Sequence, residues 1–190
     1  MIRNTAVTVC GPLNVNKLGV TYVHEHLMVK PQLPDEYYIP YTLDDEAAST
    51  EETRSFSAAG GETLVEMTPI NYGRNVKAYQ RIAQATGVHV ICCTGFHKQL
   101  FMPPWFGDKT DGELYDILMD EVTNGLDDTE IHPGVIKLGT SFEEVTAAEK
   151  RSIEAVARVH RDTGIPISTH CDKGTMGMDQ LRLLEKHGVD

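Results

Sequence analysis

Two histidines on one predicted strand are the first residues in this sequence that could do chemistry. His24 and His26 lie two positions apart in GVTYVHEHLMV, residues 19–29, a run too apolar and β-branched for a helix. Because side chains at i and i+2 of a strand point to the same side, the two imidazoles share a face and Glu25 points away. Neutral imidazole is a common metal ligand. The pair therefore predicts part of a metal site, with two hydrogen-bonded core histidines as the alternative.

Lys137 and His170 are two further polar residues in or at the end of predicted strands. Lys137 lies within GVIKLGT, residues 134–140, and His170 ends IPISTH, residues 165–170. A lysine flanked by apolar strand residues is almost never buried without a partner or a function. Lys137 could be a Schiff-base nucleophile or, with carbon dioxide, a carbamate that bridges two cations. The structural alternatives are a buried ion pair or a strand-end lysine that reaches solvent.

The elements that must position these residues alternate along the chain. We predict strands at 19–24, 62–68, 88–94, 134–140 and 165–170, and helices at 44–59, 74–86, 111–125, 143–163 and 176–187. Such alternation predicts an α/β fold with a parallel sheet and helical crossovers, either doubly wound or a (β/α)₈ TIM barrel. Polar residues at the carboxyl ends of the strands favour the barrel, because these ends converge on one active-site mouth.

The length of the chain bears on how much of a barrel it can form. A complete (β/α)₈ barrel needs about 250 residues, whereas this sequence has 190 residues and five predicted strand–helix units. We therefore expect a single domain, residues 1–190, that forms the N-terminal part of a TIM barrel. Within it, Thr146 followed by Glu149 predicts a capping box at the start of the fourth helix.

Composition and charge exclude several classes of function. The net charge is −11 and the isoelectric point about 5.1, which argues against a nucleic acid or an anionic membrane as partner. No apolar stretch is long enough to span a bilayer, and the N-terminus does not resemble a signal peptide. The four cysteines form no CxxC pair, which is typical of reduced thiols in a cytoplasmic protein.

Several stretches resemble successive motifs of the phosphotriesterase family of the amidohydrolase superfamily. They are GVTYVHEHL, TPINYGRNV, TGFH, GVIKLGTS and GIPISTHCDKGTMGMDQLRLLEKHGVD. The resemblance implies a (β/α)₈ barrel with two divalent metal ions, usually zinc. His24 and His26 match the ligands of the more buried metal, and Lys137 matches the lysine that becomes a carbamate and bridges both metals. His170 matches a ligand of the more exposed metal.

The sequence departs from the family pattern at its end. Members of the family carry a further histidine ligand after strand 6 and an aspartate after strand 8, and the 190 residues do not reach either position. His187 is not a substitute, because it lies in the last turn of the helix before strand 6. We expect the sequence to be a fragment of a longer protein, because open strand edges invite aggregation. The alternative is a partner chain that completes the barrel.

The resemblance also implies a mechanism and a class of substrate. In the family, a hydroxide bound by the two metals attacks phosphorus or a carbonyl carbon. We expect a lactonase or phosphotriesterase-like enzyme that cleaves a small-molecule ester, with a lactone, phosphorylated or not, favoured because a cytoplasmic enzyme meets lactones readily. A homo-oligomer is compatible with the sequence.

The predicted substrate pocket includes the loop after the third predicted strand. His97 occupies a position that lines the pocket in the family, and Lys98 could receive an anionic group of the substrate. A solvated surface lysine is the alternative for Lys98. Phe101, Trp105 and Phe106 could form an apolar wall or pack the loop against the barrel.

Two other functions are compatible with parts of the pattern. A metal-free TIM-barrel lyase could use Lys137 as a Schiff base, but this leaves His24 and His26 unexplained. A non-catalytic binding protein on a degenerate barrel would fit a chain with only five strands. Metal analysis separates the three hypotheses, since only the hydrolase needs two divalent ions.

Overall fold

The protein was analysed as a computed structural model that describes residues 4–31, 33 and 42–190. Its strands are β1 (Thr5–Thr8), β2 (Gly11–Asn14), β3 (Thr21–Glu25), β4 (Thr63–Glu66), β5 (His89–Gly95), β6 (Val135–Thr140) and β7 (Ile167–Cys171). Its helices are α1 (Glu46–Ala58), α2 (Val76–Thr86), α3 (Asp111–Asn124), α4 (Ala147–Thr163) and α5 (Gly177–Lys186). Short 3₁₀ helices lie at Val15–Lys17, Gln99–Phe101, Pro104–Asp108 and Asp172–Gly174.

Strands β3 to β7 form one sheet whose spatial order follows the chain. Each neighbouring pair is parallel, and one helix connects each strand to the next. This arrangement confirms the predicted α/β fold with the first five strand–helix units of a TIM barrel. Within the described part of the chain, no helix is both long and apolar enough to cross a membrane. The prediction that residues 1–190 form a single domain stays a prediction.

An antiparallel hairpin of β1 and β2 precedes the parallel sheet, and the sequence patterns did not predict it. Thr5 pairs with Asn14 and Thr8 with Gly11, and the backbone N–H of Val9 donates to the carbonyl of Val90. Each strand has only four residues. Such short strands provide too few positions for an alternating pattern to be distinctive. The hairpin packs against the amino end of the sheet through the Val9–Val90 contact.

The apolar core lies between the sheet and its helices. One cluster joins Leu64 and Val90 of the sheet to Tyr79 and Ile82 of α2. A second cluster joins β6 to α3 and α4, and it includes the stripe predicted on the fourth helix, which is fully buried: Ile153, Val156, Ala157 and Val159. These helices cover the outer face of the sheet, so the opposite face is the one available for polar side chains.

The fourth helix begins at its predicted cap. The Thr146 side chain accepts from the backbone N–H of Glu149, and the Glu149 side chain accepts from the backbone N–H of Thr146. The predicted start at residue 143 is therefore too early, since the helix begins at Ala147. Glu143 itself has a left-handed backbone, with φ of 55°, which a helix does not accept.

Candidate active site

His24 reaches Lys137 across the concave side of the sheet. His24 Nε2 lies 2.7 Å from Lys137 Nζ. Three strand spacings separate β3 from β6 in the sheet order, which is about 14 Å in a flat sheet. Contact between these side chains therefore requires a curved sheet with both side chains on its inner face. The barrel-like curvature brings the first predicted metal ligand to the predicted bridging lysine.

His26 follows the end of β3, beside a break in the register between β3 and β4. Tyr22 pairs with Leu64 and Glu25 with Glu66, so β3 has one extra residue between the two pairs. The ring centroids of His24 and His26 lie 5.7 Å apart. His26 Nδ1 lies 2.8 Å from Thr68 Oγ1. The two predicted ligands are thus neighbours, as their spacing indicated.

Lys137 is fully buried in the middle of β6. Among the described residues it has no carboxylate within ion-pair distance, and its ammonium contacts His24 instead. Burial lowers the pKa of Lys137 to about 8. Both structural alternatives for this residue, a buried ion pair and a solvent-exposed strand end, are absent in the described part of the structure.

His170 lies on β7 with one ring nitrogen left without a partner. Its Nε2 is buried and has no hydrogen-bond partner among the described residues, whereas its carbonyl accepts from Gln180 Nε2 at 2.8 Å. The His97 ring packs edge-on against it, with centroids 4.6 Å apart. Buried polar atoms are normally hydrogen-bonded. An unpartnered imidazole nitrogen is therefore a place for a ligand.

The charge of Lys137 affects the pKa of four histidines: His24, His26, His97 and His170. Burial lowers the pKa of His24 to about 4 and that of His26 to about 3, and the charge of Lys137 is the next largest cause in both. The same two causes, in the same order, lower the pKa of His97 and His170. Neutral imidazole is the form that binds metal. The charge effects show that the predicted ligands gather around one buried lysine.

His97 forms part of a buried aromatic wall. It is 3% exposed, and its Nδ1 accepts from the backbone N–H of Lys98 at 2.7 Å. Its ring packs against Tyr72 and Phe101, with centroid distances of 4.7 and 4.9 Å. His97 therefore lies beside His170, one of the predicted metal ligands, at a position where it could line a substrate pocket.

Lys98 is held by an ion pair rather than free in solvent. Its Nζ lies 2.5 Å from Asp172 Oδ2, and the two side chains are only 17% and 22% exposed. This hydrogen bond lowers the pKa of Asp172. The pair joins the loop after β5 to the loop after β7. A substrate anion at Lys98 would have to compete with Asp172.

The aromatic residues of the loop after β5 divide between the two roles considered from the sequence. Phe101 faces the site, where it contacts Tyr72 and His97. Trp105 and Phe106 instead pack on Phe96, with centroids 6.2 and 5.0 Å from its ring. One aromatic residue thus lines the candidate site, and two hold the loop to the protein.

Glu66 and Thr68 are residues next to the site that the sequence patterns missed. Both are fully buried, and Thr68 Oγ1 donates to Glu66 Oε1 at 2.5 Å. Burial raises the pKa of Glu66 to about 7, against the hydrogen bonds that it accepts. A glutamate inside the apolar run ETLVEMT was a usable signal, because a buried charge needs a partner or a function.

The possible metal ligands at this site are the imidazoles of three histidines and the side chain of Lys137. Among residues 4–31, 33 and 42–190, no three His, Cys, Asp or Glu side chains form a group that could hold a metal ion alone. The chemistry of the residues nevertheless fits, because the imidazoles of His24, His26 and His170 are kept neutral and His170 Nε2 is buried without a partner. Lys137 would have to supply further ligand atoms.

Comparison with known proteins identifies the family of this chain. The sequence profile of the Phosphotriesterase family matches residues 4–190. The chain belongs to the phosphotriesterase family. Among its relatives is the Phosphotriesterase homology protein of Escherichia coli (strain K12), 34% identical over 179 residues, which cover 94% of this chain and 61% of that protein.

Two other members of the phosphotriesterase family have names that specify a reaction. Phospho-furanose lactonase of Mycoplasmopsis synoviae (strain 53) is 31% identical over 206 residues, covering 100% of this chain and 58% of that protein. The crystal structure of a lactonase from Listeria monocytogenes superimposes with a TM-score of 0.91 at 30% identity, covering 97% of this chain and 62% of that chain. The chain spans about three fifths of the length of these curated relatives.

Proposed function

We propose that these residues form the first part of the active site of a metal-dependent hydrolase that cleaves an ester bond. The substrate is a lactone, phosphorylated or not, or a phosphate ester. The observation that carries the proposal is the contact of His24 with the buried Lys137, which has no carboxylate partner among the described residues, on the concave side of the sheet beside His26 and His170. Membership of the phosphotriesterase family and the lactonases among its members support it.

The proposed roles of the residues follow the resemblance to the family. His24 and His26 would hold one divalent ion, His170 would hold the second, and a carbamate on Lys137 would bridge the two. We expect zinc. When bound, two such ions polarise the scissile bond and make a water molecule more acidic. The neutral imidazoles and the unpartnered Nε2 of His170 support these assignments.

The environment of Lys137 supports the carbamate. In this reaction the nitrogen of the neutral amine bonds to the carbon of carbon dioxide and loses one proton, so that a neutral amine becomes an anion with two oxygen ligands. Starting from the ammonium form, two protons leave in total. Only an amine without its extra proton can react, and a buried amine with no carboxylate partner favours that form. A negative charge on Lys137 would also attract the two cations that the surrounding imidazoles would bind.

The proposed substrate pocket involves His97 and Lys98. His97 would form a wall of the pocket, as its burial beside His170 supports. Lys98 would bind an anionic group of the substrate only after separating from Asp172. A small-molecule substrate, the absence of nucleic-acid and membrane partners, a homo-oligomer and a cytoplasmic location remain predictions from the sequence.

Metal analysis of the full-length protein tests the proposal. We expect about two equivalents of divalent metal per chain, hydrolysis of lactones in a substrate panel, and loss of activity after chelation. Lys137→Ala should lose both metal and activity. Lys109→Ala is the matched control, because Lys109 pairs with Glu113 at the exposed surface and should leave both unchanged. A folded wild-type protein without metal and without hydrolytic activity would contradict the hydrolase.

A Schiff-base lyase is the second candidate, because a buried lysine with a pKa lowered to about 8 is also suited to form an imine. It assigns no role to His24, His26 or His170. Borohydride reduction in the presence of carbonyl compounds separates the two functions. A substrate adduct on Lys137 in a metal-free, active protein would favour the lyase.

A further inference from the structure

We infer that Thr68 and Glu66 hold the His26 imidazole in the tautomer with its proton on Nδ1, and so leave Nε2 as the free donor of the ring. Neither residue would touch the substrate or the metal, so both are positioning residues. The inference rests on the proposed function only where it assigns Nε2 to a metal ion. The state of the ring itself follows from hydrogen bonds of the described residues.

The direction of the hydrogen bonds follows from the single proton of the Thr68 hydroxyl. Thr68 Oγ1 lies 2.5 Å from Glu66 Oε1 and 2.8 Å from His26 Nδ1. A hydroxyl donates once and accepts through its lone pairs, and an ionised carboxylate, the form of Glu66 above neutral pH, only accepts. Thr68 therefore donates to Glu66 and accepts from His26. Only an Nδ1–H group can provide that second bond.

The backbone fixes Glu66 as the accepting end of this chain of bonds. Its Oε1 also accepts from the backbone N–H of Leu27 at 3.2 Å, and its Oε2 accepts from the backbone N–H of Thr68 at 3.3 Å. Both oxygens thus face donors that cannot reverse their role. Leu27 follows His26 directly, so the same carboxylate also holds the backbone next to the ring.

The bonds lie in a buried environment, in which the Tyr79 hydroxyl is a further hydrogen-bonding group beside Glu66 and Thr68. Glu66 and Thr68 are both fully buried, and Glu66 Oε1 lies 3.8 Å from His26 Nδ1, which adds an attraction for a proton at that nitrogen. The His26 side chain, by contrast, keeps 29% of its exposure. His24 already uses Nε2 toward Lys137. The same nitrogen of both imidazoles would then serve the site.

Nuclear magnetic resonance of the full-length, metal-free protein tests the tautomer directly. In ¹⁵N-labelled protein above neutral pH, we expect His26 to carry its proton on Nδ1. Thr68→Val keeps the shape of the side chain and removes the hydroxyl, so the ring should become a mixture of both tautomers. Thr68→Ser keeps the hydroxyl and should preserve the wild-type state. A proton on Nε2 in the wild type, or an unchanged ring in Thr68→Val, would overturn the inference.

Metal affinity provides the second measurement. By competition with a chelator, Thr68→Val should bind zinc about 10–100-fold more weakly than the wild type, the usual effect of removing a partner of a metal ligand. Thr68→Ser should restore the affinity. Thr63→Val is the matched control at the start of β4, the strand that leads to Thr68, because it removes a buried hydroxyl that donates to the Leu18 carbonyl, away from the site. It should lower stability without changing affinity.

The two measurements separate this inference from the proposed function. Zinc affinity that is the same in Thr68→Val and the wild type overturns the positioning role. A wild-type protein that binds no divalent metal overturns the hydrolase, and the resonance experiment then still decides the tautomer of His26.

Discussion

The buried amine of Lys137 is a single residue that is unfavourable for folding and to which the proposed function assigns a role. It occupies the interior of β6, fully buried and without a carboxylate partner in the described part of the chain. Removing an amine from water costs free energy that its contact with one imidazole offsets only in part. The proposed chemistry of the site, rather than the stability of the fold, therefore explains why a lysine lies at this buried position.

A first prediction follows for Lys137→Met in the metal-free protein. We expect the free energy of unfolding to stay unchanged or to rise by up to about 2 kcal/mol, because an apolar side chain of similar length replaces a buried amine. Denaturant unfolding measures the change. Leu138→Met, at an equally buried position of β6, is the control and should cost less than about 1.5 kcal/mol. A Lys137 variant clearly less stable than this control would show that the lysine contributes to folding.

At the scale of elements, β5 and β6 approach closely where Gly95 lies beside Lys137. Gly95 ends β5 with φ of 110° and pairs with Lys137, and a Cβ at Gly95 would lie 2.0 Å from the Lys137 carbonyl oxygen. Both the backbone angle and the missing side chain are therefore required here. A larger residue would push apart β5, which leads to His97, and β6, which carries Lys137.

The second prediction concerns Gly95→Ala. We expect it to lower the free energy of unfolding by about 3 kcal/mol or more, since backbone strain and a collision with β6 act together. Gly87→Ala is the control: Gly87 has φ of 76° at the end of α2, and a Cβ added there would meet no other atom within 4 Å. It should cost about 1 kcal/mol from strain alone. Equal losses in the two variants would contradict the close-approach argument.

A second interaction between elements is the ion-pair network of Arg74, whose side chain is 5% exposed. Its Nη2 lies 2.5 Å from Glu121 Oε1 and 2.6 Å from Asp127 Oδ1, and its Nη1 donates to the Cys93 carbonyl. Thr94 Oγ1 donates to the same Glu121 carboxylate. The network joins the segment before α2 to α3 and to β5, the strand that leads to His97.

The third prediction is that Arg74→Met destabilises the protein by about 3–5 kcal/mol, because it leaves carboxylates without their buried partner. Arg81→Met is the matched control. Arg81 pairs with Glu46 at the surface, where the side chain is 55% exposed, and such pairs contribute about 0–1 kcal/mol. Thermal or denaturant unfolding of both variants measures the difference. A small effect of Arg74→Met would mean that the network is not important for stability.

For the whole molecule, an exposed apolar stretch lies at the start of β3, at one end of the sheet. Val20, Tyr22 and Val23 are 57%, 53% and 68% exposed, and β3 is an end strand of the five-stranded sheet. Exposed apolar edge strands favour pairing with other chains. The 190 residues alone are therefore expected to associate in solution.

The fourth prediction is that Val23→Lys reduces this association, because a charge on an edge strand opposes pairing. Sedimentation velocity of a chain of these 190 residues, over a range of concentrations, measures it. Leu181→Lys, at a 47% exposed position of α5, is the control and should leave the association unchanged. Equal effects would indicate that net charge rather than the edge of β3 controls the association.

Local patterns of the sequence predicted the secondary structure and several features of the candidate site. Apolar runs and helix caps predicted every strand of the parallel sheet and the five α-helices α1 to α5 to within about four residues, because both depend on near neighbours, whereas the short 3₁₀ helices were not predicted. The spacing of His24 and His26 predicted that the two imidazoles are neighbours. An apolar strand around Lys137 predicted its burial, and the ordered motifs predicted the family.

Only the tertiary structure decided which of these residues meet. Thr68 contacts His26 across 42 positions of the chain, and Asp172 contacts Lys98 across 74. The first contact depends on an extra residue in β3 that shifts its register against β4, and the second on the packing of two loops. Side-chain type and spacing restrict what a residue can do, but the partner that it finds depends on sheet curvature and register. Those are properties of the packed strands together, so no local pattern could have given the contact of His26 with Thr68 or the pairing of Lys98 with Asp172.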